Sequence, residues 1–113
     1  MIIGVGCDIV KIERIRKAME RESFLRILTE RERVLYKGLS TNRQSEWLAG
    51  RFAAKEAIYK AIHTIHPCVL SDIEVLTSEC GAPYCTLTLC DIHLSISHET
   101  DYAIAYAIAE KKE

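Results

Sequence analysis

Two acids separated by nearly half the chain carry the first chemical signal. Asp8 follows the short β-branched run "MIIGVG", and Glu56 lies in "RFAAKEAIYKAI" (51–62) among alanines and cations. A helix packed across a strand would bring these carboxylates together. Two carboxylates suit Mg²⁺, a hard cation that takes one or two protein carboxylates and fills its octahedron with water and substrate phosphate. Arg51, Lys55 and Lys60 supply cations that could hold a polyphosphate beside it, and Ala49, Ala53, Ala54 and Ala57 leave space over the helix. The same residues have a plainer reading. Asp8 would cap the first helix, Glu56 would pair with Lys60 at i, i+4 for about 0.2–0.5 kcal/mol, and the cations would form a solvated face. Spacing alone leaves both readings open.

Other reactive side chains are less telling. "SISH" (95–98) ends a strand with a hydroxyl and an imidazole, but neighbours on a strand point to opposite faces, so Ser97 and His98 do not serve one another. No G-x-S-x-G elbow supports a hydrolase. His98 either donates to a phosphate or is structural. "GAP" (81–83) is a turn in which Gly81 permits positive φ and Pro83 fixes the exit. "GVG" (4–6) belongs to no dinucleotide fingerprint. The five cysteines, at 7, 68, 80, 85 and 90, are odd in number and form no C-x-x-C pair, which argues against a disulfide framework and a zinc clip.

These residues need elements to position them. "MIIGVG" reads as a first strand with Asp8 at its end. In "KIERIRKAMERES" the apolar Ile12, Ile15 and Met19 recur at helical spacing, while Lys11, Arg14, Lys17 and Arg21 make a basic stripe on another face. "TERE" (29–32) and "TNRQ" (41–44) both fit the capping box and should each start a helix, the first ending near Gly38 and the second running from about Asn42 to Ile62. "HTIHPC" then breaks the helix at Pro67. "DIEVLT", "YCTLTLC" and "IHLSIS" alternate with period two, and "YAIAYAIAE" alternates large with small and reads as a strand, its all-apolar make-up consistent with burial on both sides in an assembly. The order implies an α+β fold, a small antiparallel sheet packed against one long helix and shorter ones.

Composition sets the outer bounds. A chain of 113 residues with 49% hydrophobic and 27% charged residues and a net charge of −1 reads as one globular domain over 1–113. That charge does not point to nucleic acid, and no apolar run suggests a membrane span or a signal peptide, so the expectation is a cytoplasmic protein.

In this order and at these separations, "GVGCDIVKIERI", "LAGRFAAKEAIYKA", "GAP" and "SISHETDYAIA" resemble the holo-acyl-carrier-protein synthases, the short trimeric class of 4′-phosphopantetheinyl transferases. The resemblance implies an enzyme that moves 4′-phosphopantetheine from coenzyme A to a serine of an apo-acyl carrier protein, in support of fatty acid biosynthesis, and releases adenosine 3′,5′-bisphosphate. It implies that Asp8 and Glu56 hold Mg²⁺ at the pyrophosphate, with Lys60 beside the reacting phosphate. It makes Arg51, Lys55, Lys60, the Gly81–Pro83 turn and His98 contacts of coenzyme A, with the 3′-phosphate on Arg51 or His98. Arg14 matches a family arginine that meets the carrier protein, and Lys17 and Arg21 extend that basic stripe toward an acidic partner. A homotrimer with sites at subunit boundaries is also implied.

Two departures stand out. Where the family commonly has a glycine-rich "GTG" turn after the long helix, this chain reads "HTIHP", and the usual "GKP" is "GAP". Two rivals remain at this level: another Mg²⁺-dependent phosphoryl or nucleotidyl transferase, and a non-catalytic module binding an acidic protein through Lys11, Arg14, Lys17 and Arg21.

Overall fold

The structure, a computed structural model, describes residues 1–113. Its spine is helix α3, Thr41–Ile62, whose residues Leu48, Ala49, Ala53, Ala54, Ala57, Ile58, Ala61 and Ile62 are buried. The alanines leave its surface low enough for strands to lie close. Helix α3 starts one residue earlier than its sequence suggests. Ser40, not Thr41, is the cap, its hydroxyl accepting from the Arg43 N–H at 3.4 Å. No second capping box forms: with Ser40 as the cap the third helical residue is Arg43, which has no acceptor to reach back, and the Gln44 amide donates to the Tyr36 carbonyl at 3.1 Å. The "TERE" box is present at helix α2, Glu30–Lys37: Thr29 accepts from the Glu32 N–H at 3.3 Å and donates its own N–H to Glu32 Oε1 at 2.8 Å. Helix α1 covers only Ile12–Ala18, and residues 19–23 turn away instead of continuing the apolar spacing.

One antiparallel sheet, in the order β1-β5-β4, covers α3. Strand β1 is Ile2–Lys11, β4 is Asp91–His98 and β5 is Tyr102–Glu110. Because β1 continues to Lys11, Asp8 stands inside the strand opposite Ala105 rather than at its end, and it caps no helix. Glycine is required where β1 crosses α3. A Cβ at Gly4 would run into the Ala61 carbonyl oxygen, and one at Gly6 into that of Ala57. On β5 the small set, Ala103, Ala105, Ala107 and Ala109, is buried, whereas Tyr102, Ile104 and Tyr106 point outward and are exposed. The expectation of burial on both faces therefore holds for only one face of this chain.

A second ladder pairs β2, Val75–Thr77, with β3, Pro83–Cys85. Both are shorter than their alternating sequences imply. Upstream of Val75 the backbone bonds to side chains instead of a neighbouring strand: Glu32 takes the Val75 N–H at 2.7 Å, and Lys55 donates to the Leu70 and Ile73 carbonyls. No helix is long and apolar enough to cross a membrane.

Candidate functional site

The close passage of β1 over α3 decides where the two acids meet. With Gly6 seated on Ala57 and near the Lys60 Cβ, the next residues of β1 lie beside the same stretch of helix. Lys60 Nζ donates to the Cys7 carbonyl at 3.0 Å and to Asp8 Oδ1 at 3.2 Å. Glu56, one turn earlier, is near enough to Asp8 for the two charges to interact. Partial burial pushes the Glu56 carboxyl up from its ordinary value and the Asp8 charge adds to this, while Lys60 and Arg14 oppose it. The pairing of Glu56 with Lys60 is corrected here: Lys60 is bonded to Asp8 and reaches Glu56 only through space.

A carboxylate raised by a neighbouring carboxylate is a place where added positive charge is favourable. No cluster of three or more acids, histidines or cysteines is assembled to cage an ion. Two half-buried carboxylates fit Mg²⁺, which completes its shell with phosphate oxygens and water.

A second set of residues converges at a cleft of about 190 Å³ between α3, the β2–β3 turn and the end of β4. Arg51, Gly81, Pro83 and His98 all line it, so four of the expected coenzyme contacts come together. Arg51 is fixed there: Nε donates to the Val75 carbonyl at 3.2 Å, a terminal nitrogen donates to Thr77 Oγ1 at 2.7 Å, and the guanidinium lies 4.7 Å above the Trp47 ring. Burial lowers its pKa, but a guanidinium stays charged across the physiological range. Gly81 takes φ +89°, the left-handed conformation its turn requires. His98 Nδ1 lies 3.5 Å from Glu46 Oε2. Sequence reasoning missed Arg43, Glu46 and Trp47 on this cleft. The signal was available, since Arg43, Trp47 and Arg51 recur every four residues on one helical face.

Lys55 joins neither set. Its side chain is fully buried, with Nζ donating to Glu32 Oε1 at 2.7 Å, to the Leu70 carbonyl at 3.2 Å and to the Ile73 carbonyl. Its three donors are used inside the fold, so its expected role as a coenzyme contact is corrected to a structural one.

Arg14, Lys17 and Arg21 line a third cleft of about 560 Å³ with Phe24 and Phe52, whose ring centroids are 5.7 Å apart. Lys11 leaves this stripe, because it ends β1 and lines a different depression with Glu13 and Arg16. Arg14 acts on Glu56 through space, so the basic face adjoins the acids.

Arg51 and Glu56 do not share a face. Five residues along an α-helix turn through about 140° net, and the Arg51 cleft includes neither Asp8, Glu56 nor Lys60.

Comparison with known proteins agrees with this architecture. Residues 4–107 match the family model described as the 4′-phosphopantetheinyl transferase superfamily. A holo-[acyl-carrier-protein] synthase of Oceanobacillus iheyensis is 45% identical with both chains fully covered, and one from Geobacillus sp. (strain WCH70) is 49% identical over 98% of each. The crystal structure of a Bacillus anthracis holo-(acyl-carrier-protein) synthase in complex with CoA (3′,5′-ADP) superposes with a TM-score of 0.90, at 44% identity and 99% coverage of each chain. The Helicobacter pylori enzyme in complex with coenzyme A gives 0.80, at 35% identity over 94% of this chain and 99% of that one. Shared over essentially the whole chain in both sequence and fold, these features make the chain a member of the 4′-phosphopantetheinyl transferase superfamily, among its holo-[acyl-carrier-protein] synthases.

Proposed function

We propose that this chain, acting as one phosphopantetheinyl transferase domain, moves 4′-phosphopantetheine from coenzyme A to a serine of an apo-acyl carrier protein. The serine oxygen bonds to the phosphorus that bears the pantetheine arm. The bond from that phosphorus to the bridging oxygen breaks, adenosine 3′,5′-bisphosphate leaves with that oxygen, and the serine proton passes to solvent. The observation that carries this reading is the convergence of Asp8, Glu56 and Lys60 next to a basic face.

Asp8 and Glu56 would hold Mg²⁺, which would supply charge neutralisation at the pyrophosphate. Lys60, hydrogen-bonded to the Cys7 carbonyl and to Asp8, would offer its ammonium to the charge that grows on the leaving oxygen. Arg51 and His98, with the Gly81–Pro83 turn, hold the nucleotide half of coenzyme A, the 3′-phosphate facing Arg51. Arg14, Lys17 and Arg21 receive the acidic carrier, where complementary charge governs encounter and orientation more than affinity.

The working form is a homotrimer. Two features support it: the outward Tyr102, Ile104 and Tyr106 leave an apolar sheet face uncovered, and the Arg51 cleft lies on a different face of α3 from the acids. A neighbour's Arg51 cleft facing this chain's Asp8 and Glu56 would complete one site. The cytoplasm is its proposed place of work.

Intact-mass spectrometry of an apo-carrier incubated with the protein, coenzyme A and Mg²⁺ tests the reading, against EDTA and Glu56→Gln controls. A gain of one phosphopantetheine only in the complete reaction is expected. No gain with any carrier, from folded protein, would overturn it, and coenzyme A cleavage without a carrier would favour a different phosphoryl transferase.

A further inference from the structure

Both polar backbone groups of Val75 are taken by side chains. Its N–H donates to Glu32 Oε2 at 2.7 Å, and its carbonyl accepts from Arg51 Nε at 3.2 Å. Val75 is fully buried and opens β2, a strand of three residues whose one partner strand is β3. An isolated two-stranded ladder is marginally stable by itself. The Gly81–Pro83 turn that walls the Arg51 cleft therefore depends on how the root of this ladder is held. Glu32 and Arg51 grip that root at one residue. The Glu32 carboxylate is completely buried, and Oε1 accepts from the Thr29 N–H at 2.8 Å and from Lys55 Nζ at 2.7 Å, which leaves Oε2 for Val75. Lys55 stands one turn beyond Arg51 on α3 and holds the Leu70 and Ile73 carbonyls of the same segment.

We propose that Glu32, on α2 and outside the cleft, is a positioning residue for the nucleotide: by fixing the Val75 backbone it sets the orientation in which Arg51 meets the 3′-phosphate of coenzyme A. The proposal rests on the transferase reading above. Arg51 spends donors on Val75 and on Thr77, so β2 sets the plane of the guanidinium and the direction of the donors left for a phosphate. Trp47, 4.7 Å from it, bounds the other side. A guanidinium recognises phosphate by the geometry of its fork, so a displaced Val75 is felt as lost affinity for that group alone. The Glu32 charge also acts on Arg51 through space, opposing the effect of burial.

A buried ion pair can often be replaced by neutral side chains without loss of stability, which allows position to be separated from charge. Glu32→Gln with Lys55→Met removes both charges and keeps an acceptor for the Val75 N–H. Glu32→Leu with Lys55→Met removes both charges and keeps none. Isothermal titration with adenosine 3′,5′-bisphosphate and with adenosine 5′-monophosphate, which lacks the 3′-phosphate, reads each double variant. The Leu variant should bind the bisphosphate about three- to tenfold more weakly, the worth of one hydrogen bond, and the monophosphate as the wild type does. In carrier modification its KM for coenzyme A should rise at unchanged kcat. The Gln variant should restore bisphosphate binding. NMR of the wild type needs no variant: the bisphosphate should shift the Arg51 Nε–H and the Val75 amide together, and the monophosphate neither.

A Leu variant that binds the bisphosphate like the wild type would overturn the proposal. Equal losses in the Gln and Leu variants, or equal weakening of both nucleotides, would do the same and leave Glu32 a residue of the fold alone. So would a bisphosphate that moves the Arg51 Nε–H and leaves the Val75 amide where it was. A wild type that binds the bisphosphate yet modifies no carrier would instead bring down the transferase reading, with the result for Glu32 read separately from binding.

Discussion

Lys60 Nζ bonds Asp8 Oδ1 at 3.2 Å across the α3–β1 contact, and not Glu56 on its own helix. One cation thus balances one acid of the pair while the other is left raised by burial and by its neighbour's charge. A helix-surface pair would have spent Lys60 on Glu56 and left Asp8 without its ammonium. The observed bond ties strand to helix and leaves Glu56 with no hydrogen-bonded cation of its own.

Glu56→Gln should reduce carrier modification by about 10²–10³-fold, the loss expected when an interaction of several kcal/mol with the metal is removed. Its stability should move the other way. A carboxyl whose pKa is raised on folding stays protonated to higher pH in the folded chain than in the unfolded one, so its ionisation weakens the fold as pH rises through the interval between the ordinary and raised values. Above that interval Glu56→Gln should be at least as stable as the wild type, and below it the two should coincide. Added Mg²⁺ should raise Tm for the wild type alone. Thermal denaturation with and without Mg²⁺ at acid and neutral pH checks all three, and a Mg²⁺-induced rise in the variant would remove Glu56 from the metal site.

Gly6→Ala should cost about 1–3 kcal/mol through overpacking, because its Cβ meets backbone, the Ala57 carbonyl, which has no rotamer to change. Since Asp8 lies two residues further along the same strand, the variant should also need more Mg²⁺ for half-maximal activity. Urea unfolding and a Mg²⁺ titration measure the two effects. A stable variant with an unaltered Mg²⁺ requirement would show that the β1–α3 contact does not set the separation of the acids.

Much of this site was legible in the sequence because it depends on local signals. The capping box at Thr29, the alanines that flank Glu56 and the period-two alternation of β4 and β5 each act within a few residues. What escaped were competitions between distant groups. Asp8 reads as a strand end until the pairing of β1 with β5 is seen to continue to Lys11. Lys55 reads as a surface cation because its partner, Glu32, lies on another helix and is buried as deeply. Ser40 rather than Thr41 is the cap, and Gln44 bonds Tyr36 on the preceding helix instead of reaching back to its own helix start. The Arg43–Trp47–Arg51 face was readable by spacing, but only the β2–β3 turn folding over it makes it a cleft.

Lys55→Met should destabilise the fold by about 3–5 kcal/mol, since it strands the buried Glu32 carboxylate without its counter-ion. A double variant that also changes Glu32 to Gln should recover part of the loss, because the amide can still accept from the Val75 N–H without a charge to compensate. Denaturant midpoints of the two single variants and the double provide the cycle. A folded, fully stable Lys55→Met with a raised KM for coenzyme A would restore Lys55 to the binding site.

Arg51→Lys should not be conservative. Lysine cannot keep the donations to Val75 and Thr77 and the stacking on Trp47 while still facing a phosphate. Loss of a charged hydrogen bond of about 1.5–3 kcal/mol should raise KM for coenzyme A about 10–150-fold, with a much smaller effect on dephospho-coenzyme A, which lacks the 3′-phosphate. Equal effects on both substrates would place the 3′-phosphate elsewhere.

Arg51 and Glu56 face different ways on α3, so a site divided between subunits makes a prediction that a site within one chain does not. Arg51→Ala and Glu56→Gln should each be poorly active alone. If they are unfolded together and refolded at equal concentration, random trimers should regain about a quarter of the wild-type sites, those in which an intact Glu56 faces an intact Arg51 on the neighbour. Light scattering should report trimers in every sample, and Tyr106→Glu, which puts a charge on the outward sheet face, should abolish both the trimer and the recovery. Trimers that form but regain no activity on mixing would show that each chain carries its own complete site.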